Sequence, residues 1–159
     1  MMSELCYYDS PIGTLCILAN EKGIAKIQFA FDVRERLHTV ETETPLLKEA
    51  VQQLADYFAG IRKEFSLPLS LQGTDFQLRT WNALLMIPYG ETRTYKQIAE
   101  TIDCPKGCRA VGLANNRNPI PIIIPCHRVI GANGDLTGYA GGLDVKAYLL
   151  AIEKNGKNN

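Results

Sequence analysis

The chain has 159 residues, 46% of them apolar, with 17 basic and 17 acidic side chains that cancel. This is the composition of a globular protein of one domain, or of two small ones sharing a core, and it argues against a strongly basic coat. No apolar run is long enough to span a bilayer, so no membrane partner is expected, and "MMSELCYYDS" lacks the basic start and apolar stretch of a secretory signal.

"LCYYDS", "GTLCILAN" and "GIAKIQFA" are short runs of aromatic and branched residues, separated by the turn signals "SPIG" and "NEKG". Strands joined by such short turns pair antiparallel. "TPLLKEAVQQLADYFAG" predicts a helix. Leu46, Leu47, Ala50, Val51, Leu54, Tyr57 and Phe58 fall largely on one face, with Pro45 near the start and Gly60 near the end. "EFSLPLSL" reads as one more extended piece.

A boundary is expected near Gln72-Gly73, giving an N-terminal α/β domain over residues 1–73 and a second domain over 74–159. The charge changes there too. Residues 1–73 hold 7 basic and 10 acidic side chains, and residues 74–159 hold 10 and 7. A C-terminal half this slightly basic suits an anionic partner or simply a solvated surface.

"TDFQ" carries a capping-box pattern, Thr74 with Gln77, at the head of a helix through Trp81, Leu84 and Leu85. "TYKQ" repeats it, Thr94 with Gln97, before a short helix over 95–102. "DCPKG" is a tight break, with Pro105 suited to the first turn of the next helix, "KGCRAVGLANN". Helix, short turn, helix is a helix-turn-helix outline, which also occurs as a plain packing pair. The second helix carries small side chains and one long cation, Arg109. Small residues permit close approach of the backbone to another surface, and an arginine can enter a minor groove or fill the gap left by an extruded base. An ion pair of Arg109 with Asp103 or Glu100 is the plainer alternative. A last helix is expected in "GGLDVKAYLLAIEKNG".

Five cysteines, Cys6, Cys16, Cys104, Cys108 and Cys126, predict reduced thiols rather than a disulfide framework. Metal sets drawn from Cys104, Cys108, Cys126 and His127, or from Cys6, Cys16 and His38, fit tetrahedral ligation poorly beside ordinary packing thiols. Cys126 stands directly before His127 in "PIPIIIPCHRVI". A thiol in an apolar run is usually a small hydrophobe, and a nucleophilic one needs a base nearby. Neighbours on an extended strand point to opposite faces, so a Cys126–His127 pair requires a bend at Cys126 or a bridging water. Glu153, among apolar residues of the last helix, needs a partner and is a candidate to orient His127.

"NPIPIIIPCHRVI" followed by "GDLTGYAGGLDVKAYLLAIE" resembles the active-site region of the O6-alkylguanine-DNA alkyltransferases, and the likeness runs from about Thr74 to the end. The resemblance implies an α+β fold: a ribonuclease-H-like antiparallel sheet with a helix, then a mostly helical, winged-helix-like domain with the helix-turn-helix. It implies that Cys126 accepts the alkyl group, with His127, a water and Glu153 as its relay. Asn118 matches a hinge asparagine and Tyr95 a tyrosine that helps rotate the nucleotide and donates to guanine. Arg109 matches the arginine that replaces the flipped base, with Gly112 and Asn116 on the same DNA-binding helix. Val129, Tyr139, Ala140, Gly141, Asn115 and Pro121 match the base and alkyl pocket. Ala140 stands where some relatives carry serine, and Asn115 and Asn116 replace more apolar or basic residues.

The function so implied is single-turnover transfer of an alkyl group from O6-alkylguanine, and O4-alkylthymine, in duplex DNA to Cys126. The base is flipped through the minor groove. No cofactor and no metal are expected, and the protein is expected to act as a monomer in the cytoplasm, or in the nucleus of a eukaryote. Two rivals stay open: a lesion-binding module without chemistry, and a cysteine hydrolase using Cys126, His127 and Glu153.

Overall fold

A computed structural model describes residues 4–30, 36 and 40–157. The chain forms two compact units, Met1–Leu71 and Gln72–Asn159. His38 lies outside the described residues.

In the first unit β1 (Glu4–Ser10), β2 (Gly13–Asn20) and β3 (Gly23–Phe29) pair antiparallel in chain order. Tyr7 faces Cys16 and Ile17 faces Ile27, with an irregularity at Leu18/Ala19. The short turns set this register, as the sequence predicts. Helix α1 (Pro45–Phe58) starts where Thr44 accepts a bond from the Leu47 amide and Pro45 supplies the first helical position. It buries Leu47, Ala50, Leu54 and Tyr57. Gln53 is buried with them, and its side chain takes the Ser66 amide at 2.9 Å and donates to the Ser66 carbonyl at 3.2 Å. That anchor leads the chain into the expected extended piece, which meets β3 through a single parallel bridge, Ile24 with Leu69. Gly23 makes the approach possible, since a Cβ there would collide with the Pro68 carbonyl.

The second unit opens with α2 (Asp75–Leu85), and both halves of the Thr74/Gln77 capping box are formed. β4 (Arg93–Thr94) leads into α3 (Tyr95–Thr101), where Thr94 and Gln97 repeat the box. Helix α4 (Cys108–Asn116) packs on α2 and α3. The buried Trp81 indole N–H donates to the Ala114 carbonyl at 2.9 Å and ties α2 to α4.

Helix α4 begins later than expected. Pro105 sits in a turn closed by the Gly107 amide on the Cys104 carbonyl, 2.8 Å, so it precedes the helix instead of opening it.

The apolar run after α4 is a wrapped loop. Asn118 pins it from both sides, taking the Ile120 amide at 3.0 Å and donating to the Ile124 carbonyl at 2.7 Å. Between them Ile122 adopts φ 76°, unusual for a branched residue. A single 3₁₀ turn, Cys126–Arg128, follows, and then β5 (Val129–Ile130), which runs parallel to β4. The chain ends in α5 (Leu143–Gly156), entered through Gly142 at φ 98°. No helix among the described residues is long and apolar enough to cross a membrane.

Candidate functional site

The 3₁₀ turn decides the local geometry. Successive side chains on it diverge by about 120° rather than the 180° of a strand, so Cys126 and His127 need not point to opposite faces. Both are interior, Cys126 at 5% exposure and His127 at 0%. Helix α5 brings Glu153, 1% exposed, against the turn. One Glu153 carboxylate oxygen lies 2.6 Å from His127 Nε2.

Arg128, which the sequence reading passed over, completes this cluster. Its Nε donates to one Glu153 oxygen at 2.7 Å and an Nη to the other at 3.1 Å, while a second Nη donates to the Ile87 carbonyl at 2.7 Å. The fork is bidentate and almost wholly buried. The Tyr89 ring lies over the guanidinium, 5.8 Å from its centroid.

These contacts set the charges. Burial pushes the Glu153 carboxyl up, but the bonds and charges of His127 and Arg128 more than reverse it and bring it down to about 2. Burial depresses His127 below its usual value, and Glu153 only partly opposes this. The imidazole is therefore neutral at neutral pH, its Nε2–H donating to an ionised Glu153, and Arg128 supplies the balancing charge. His127 Nδ1 is left as the acceptor, and it has no hydrogen-bond partner among the described residues. Burial pushes the Cys126 thiol up to about 11, against the lowering effects of Asn118 and Lys146. A resting thiol beside a neutral imidazole is the result.

The other expected residues take definite places. Asn118 is half-buried and holds the loop described above. Asn115 is on the buried side of α4, where its amide donates to the Cys126 carbonyl at 3.3 Å. Val129 and Pro121 are buried, and Tyr139 is half-buried, with its phenol pushed well up by burial and then by the charges of Cys126 and Glu153. The Tyr95 hydroxyl lies 2.9 Å from Thr137 Oγ1. Across from Tyr95 is Gly112, where an added Cβ would touch the ring at 3.9 Å. Arg109 and Asn116 are exposed on α4, and Ala140 and Gly141 lie at the start of α5's approach. Among the described residues Arg109 pairs with neither Asp103 nor Glu100.

Lys146 was also missed. It is wholly buried, and its ammonium donates to the Val129 carbonyl at 2.6 Å and the Thr137 carbonyl at 2.8 Å. The signal was present: Lys146, Leu149 and Glu153 recur at helical spacing on one face of α5, so the reasoning that marked Glu153 applies equally to Lys146. All five cysteines are free thiols, and no group of three His, Cys, Asp or Glu side chains among the described residues is placed to hold a metal.

Comparison with known proteins gives a consistent result. Residues 75–155 match the family profile described as the 6-O-methylguanine DNA methyltransferase DNA binding domain, and residues 6–71 match its ribonuclease-like domain. A methylated-DNA–protein-cysteine methyltransferase of Methanosarcina barkeri is 53% identical over 156 residues, covering 94% of this chain and 98% of the relative. A constitutive one of Bacillus subtilis is 51% identical over 152 residues, covering 92% of each. Among solved structures, the Mycobacterium tuberculosis O6-methylguanine methyltransferase superposes with a TM-score of 0.86 at 48% identity, covering 97% of this chain and 94% of that one. Mycobacterium tuberculosis OGT in complex with DNA gives 0.84 at 48%, covering 97% and 93%.

Proposed function

The chain belongs to the 6-O-methylguanine DNA methyltransferase family, and from that premise we propose that it repairs DNA by taking the alkyl group of O6-alkylguanine onto Cys126, once per molecule. The observation that carries this reading is the buried relay: an ionised Glu153 fixes the His127 tautomer at 2.6 Å and leaves Nδ1 as a base one residue from the thiol.

The chemistry follows from the target. The alkyl carbon is tetrahedral, so attack is an in-line displacement for which a soft thiolate is suited. The Cys126 proton passes to His127 Nδ1, through a water that spans the adjacent side chains. The imidazolium so formed is stabilised by Glu153. The S–C bond forms as the C–O6 bond breaks, and the electron pair leaves on guanine. A proton equal to the one given up by the thiol restores neutral guanine, with Tyr95 and backbone N–H groups donating to the departing base. The product is a thioether. Thiol and alkylguanine supply every atom, so no cofactor enters and the protein is spent.

The target carbon is out of reach inside a duplex, so the base must be extruded, at a cost of a few kcal/mol. Residues 74–159 form the DNA-binding and acceptor part. Helix α4 is laid in the minor groove, with Arg109 filling the vacated stack and Gly112 and Asn116 beside it. Val129, Tyr139, Ala140, Gly141, Asn115 and Pro121 line the pocket, and Asn118 holds the acceptor loop to α4. O4-alkylthymine is a second substrate. The protein acts as a monomer in a reducing compartment, the cytoplasm or nucleus, in keeping with its five free thiols.

Mass measurement of the intact protein after incubation with duplex DNA containing O6-methylguanine tests this. One added methyl is expected, located on Cys126 and lost in Cys126→Ala, which should still bind the duplex. A methyl on another residue, or none, overturns the assignment.

A further inference from the structure

The relay accounts for Glu153, His127 and Arg128, but it leaves one buried charge without use. Lys146 is fully enclosed, and its ammonium is held by two neutral carbonyls, Val129 and Thr137. No carboxylate pairs with it among the described residues. The one nearby carboxylate, Glu153, is already taken by Arg128 and His127. A buried cation without a counter-ion is costly. A fold that keeps one either tolerates strain or awaits an anion.

The anion available in this interior is the sulfur of Cys126. The Val129 carbonyl that Lys146 grips is three residues beyond it on the same turn and strand. The charges of Cys126 and Lys146 each favour the ionised form of the other. Thr137, which the ammonium also grips, is the residue whose hydroxyl meets Tyr95.

Resting on the reading of Cys126 as alkyl acceptor, we propose that Lys146 is an electrostatic positioning residue for the transfer: a fixed buried cation whose counter-ion is the thiolate formed during reaction. Its two carbonyl bonds hold that charge in place. The other titratable and charged groups around the sulfur are His127 and Tyr139, with Glu153 and Arg128 behind them, and all remain when Lys146 alone is changed.

The test separates charge from clamp. Lys146→Gln keeps N–H donors for the two carbonyls but has no charge, Lys146→Met has neither, and Lys146→Arg keeps the charge. Single-turnover alkylation by free O6-benzylguanine, read by intact mass from neutral to alkaline pH, needs no DNA contact. At neutral pH Lys146→Gln should be slower than wild type by roughly tenfold or more, one pK unit of lost thiolate being tenfold.

The gap should close as pH rises. Burial lowers Lys146, with Cys126 opposing it, so wild type loses this charge below the usual lysine range and comes to resemble the variant. A constant gap at every pH, or no gap, overturns the proposal. If Lys146→Gln does not fold by circular dichroism, Lys146→Arg decides: a reaction rate falling towards wild type's own alkaline level at neutral pH refutes a role for charge, and retention of most of the neutral rate supports it. Failure of wild type itself to gain the benzyl mass refutes the acceptor reading instead.

Discussion

The two units bury polar groups for different ends. In the first, Gln53 and Ser70 are the buried polar residues among those described, and both are neutral. Gln53 has its partners in Ser66, and Ser70 in Asn20 at 2.9 Å. In the second unit the interior holds His127, Arg128, Lys146 and Glu153, four ionisable side chains around one thiol. Neutral, satisfied groups direct the chain; charged ones cost several kcal/mol each to desolvate, and their arrangement balances only when each partner is in place. The contrast places chemistry in the second unit and scaffolding in the first, and each prediction below presses on it.

Glu153→Ala should have the largest effect. It strands the Arg128 guanidinium in the interior and frees the His127 ring to turn. Loss of one partner of a buried pair costs about 3–5 kcal/mol, seen as a lower urea midpoint, and alkylation of Cys126 should fall by about a hundredfold or more, the range in which general acid–base groups act. Glu153→Gln isolates the charge. The folded carboxyl, at about 2, lies below its usual 4.5, so the stabilisation is complete above pH 4.5 and is lost as pH falls toward 2. The wild-type protein should lose on the order of 3 kcal/mol across that window. A thermal melt series in acid should show this limb in wild type and a flatter one in the glutamine variant.

Arg109→Ala comes next, and it acts on the surface of the second unit rather than on its interior. Arg109 is exposed and lacks an ion pair with Asp103 or Glu100, so its removal should leave the melting temperature nearly unchanged. Repair of duplex DNA should slow by roughly ten- to a hundredfold, the kinetic equivalent of a base-extrusion cost of a few kcal/mol. Reaction with free O6-benzylguanine should hardly change. Equal losses on both substrates would remove the stacking role.

What the sequence made legible follows the range of the interactions. The capping boxes of Thr74 and Thr94 close within one helical turn, and the hairpins of the sheet close within a few residues, so local pattern was enough. Pro105 was placed one turn too late because a proline before a helix and one inside its first turn look alike until the Cys104–Gly107 bond is seen. The 3₁₀ turn at Cys126 was not legible. It depends on Asn118 reaching both Ile120 and Ile124, and on Ile122 taking a backbone conformation that its side chain disfavours. For Cys126, His127 and Glu153 the family resemblance supplied the roles. Arg128 and Lys146 escaped because their partners, Glu153 and the carbonyls of Val129 and Thr137, are 25, 17 and 9 residues away.

Gln53→Ala tests the first unit directly. It should cost about 1–3 kcal/mol, the usual penalty for leaving buried partners unsatisfied, here the Ser66 amide and carbonyl. Below its melting temperature the variant should alkylate Cys126 with free O6-benzylguanine at the wild-type rate. A slowed reaction in the folded variant would break the division of labour between scaffold and site.

The smallest effects come from two matched caps, one in each unit. Thr44 and Thr94 each accept an amide bond at the head of a helix, from Leu47 at 3.2 Å and from Gln97 at 3.1 Å. Replacing either by alanine should cost about 1 kcal/mol, read from urea midpoints. The chemistry of the two changes is the same, but their settings differ. Thr44 heads α1, whose buried face holds only packing residues and Gln53. Thr94 lies in β4 opposite Ile130 and directly before Tyr95, the first residue of α3, whose hydroxyl meets Thr137. A frayed first turn there displaces the tyrosine proposed to donate to the leaving base. Thr94→Ala should therefore slow transfer by a few fold, the equivalent of less than about 1 kcal/mol, whereas Thr44→Ala should leave the rate unchanged at matched fraction folded. Equal rates in the two variants would mean that Tyr95 is placed by its packing against Gly112 and Thr137 alone, and not by the cap that starts its helix.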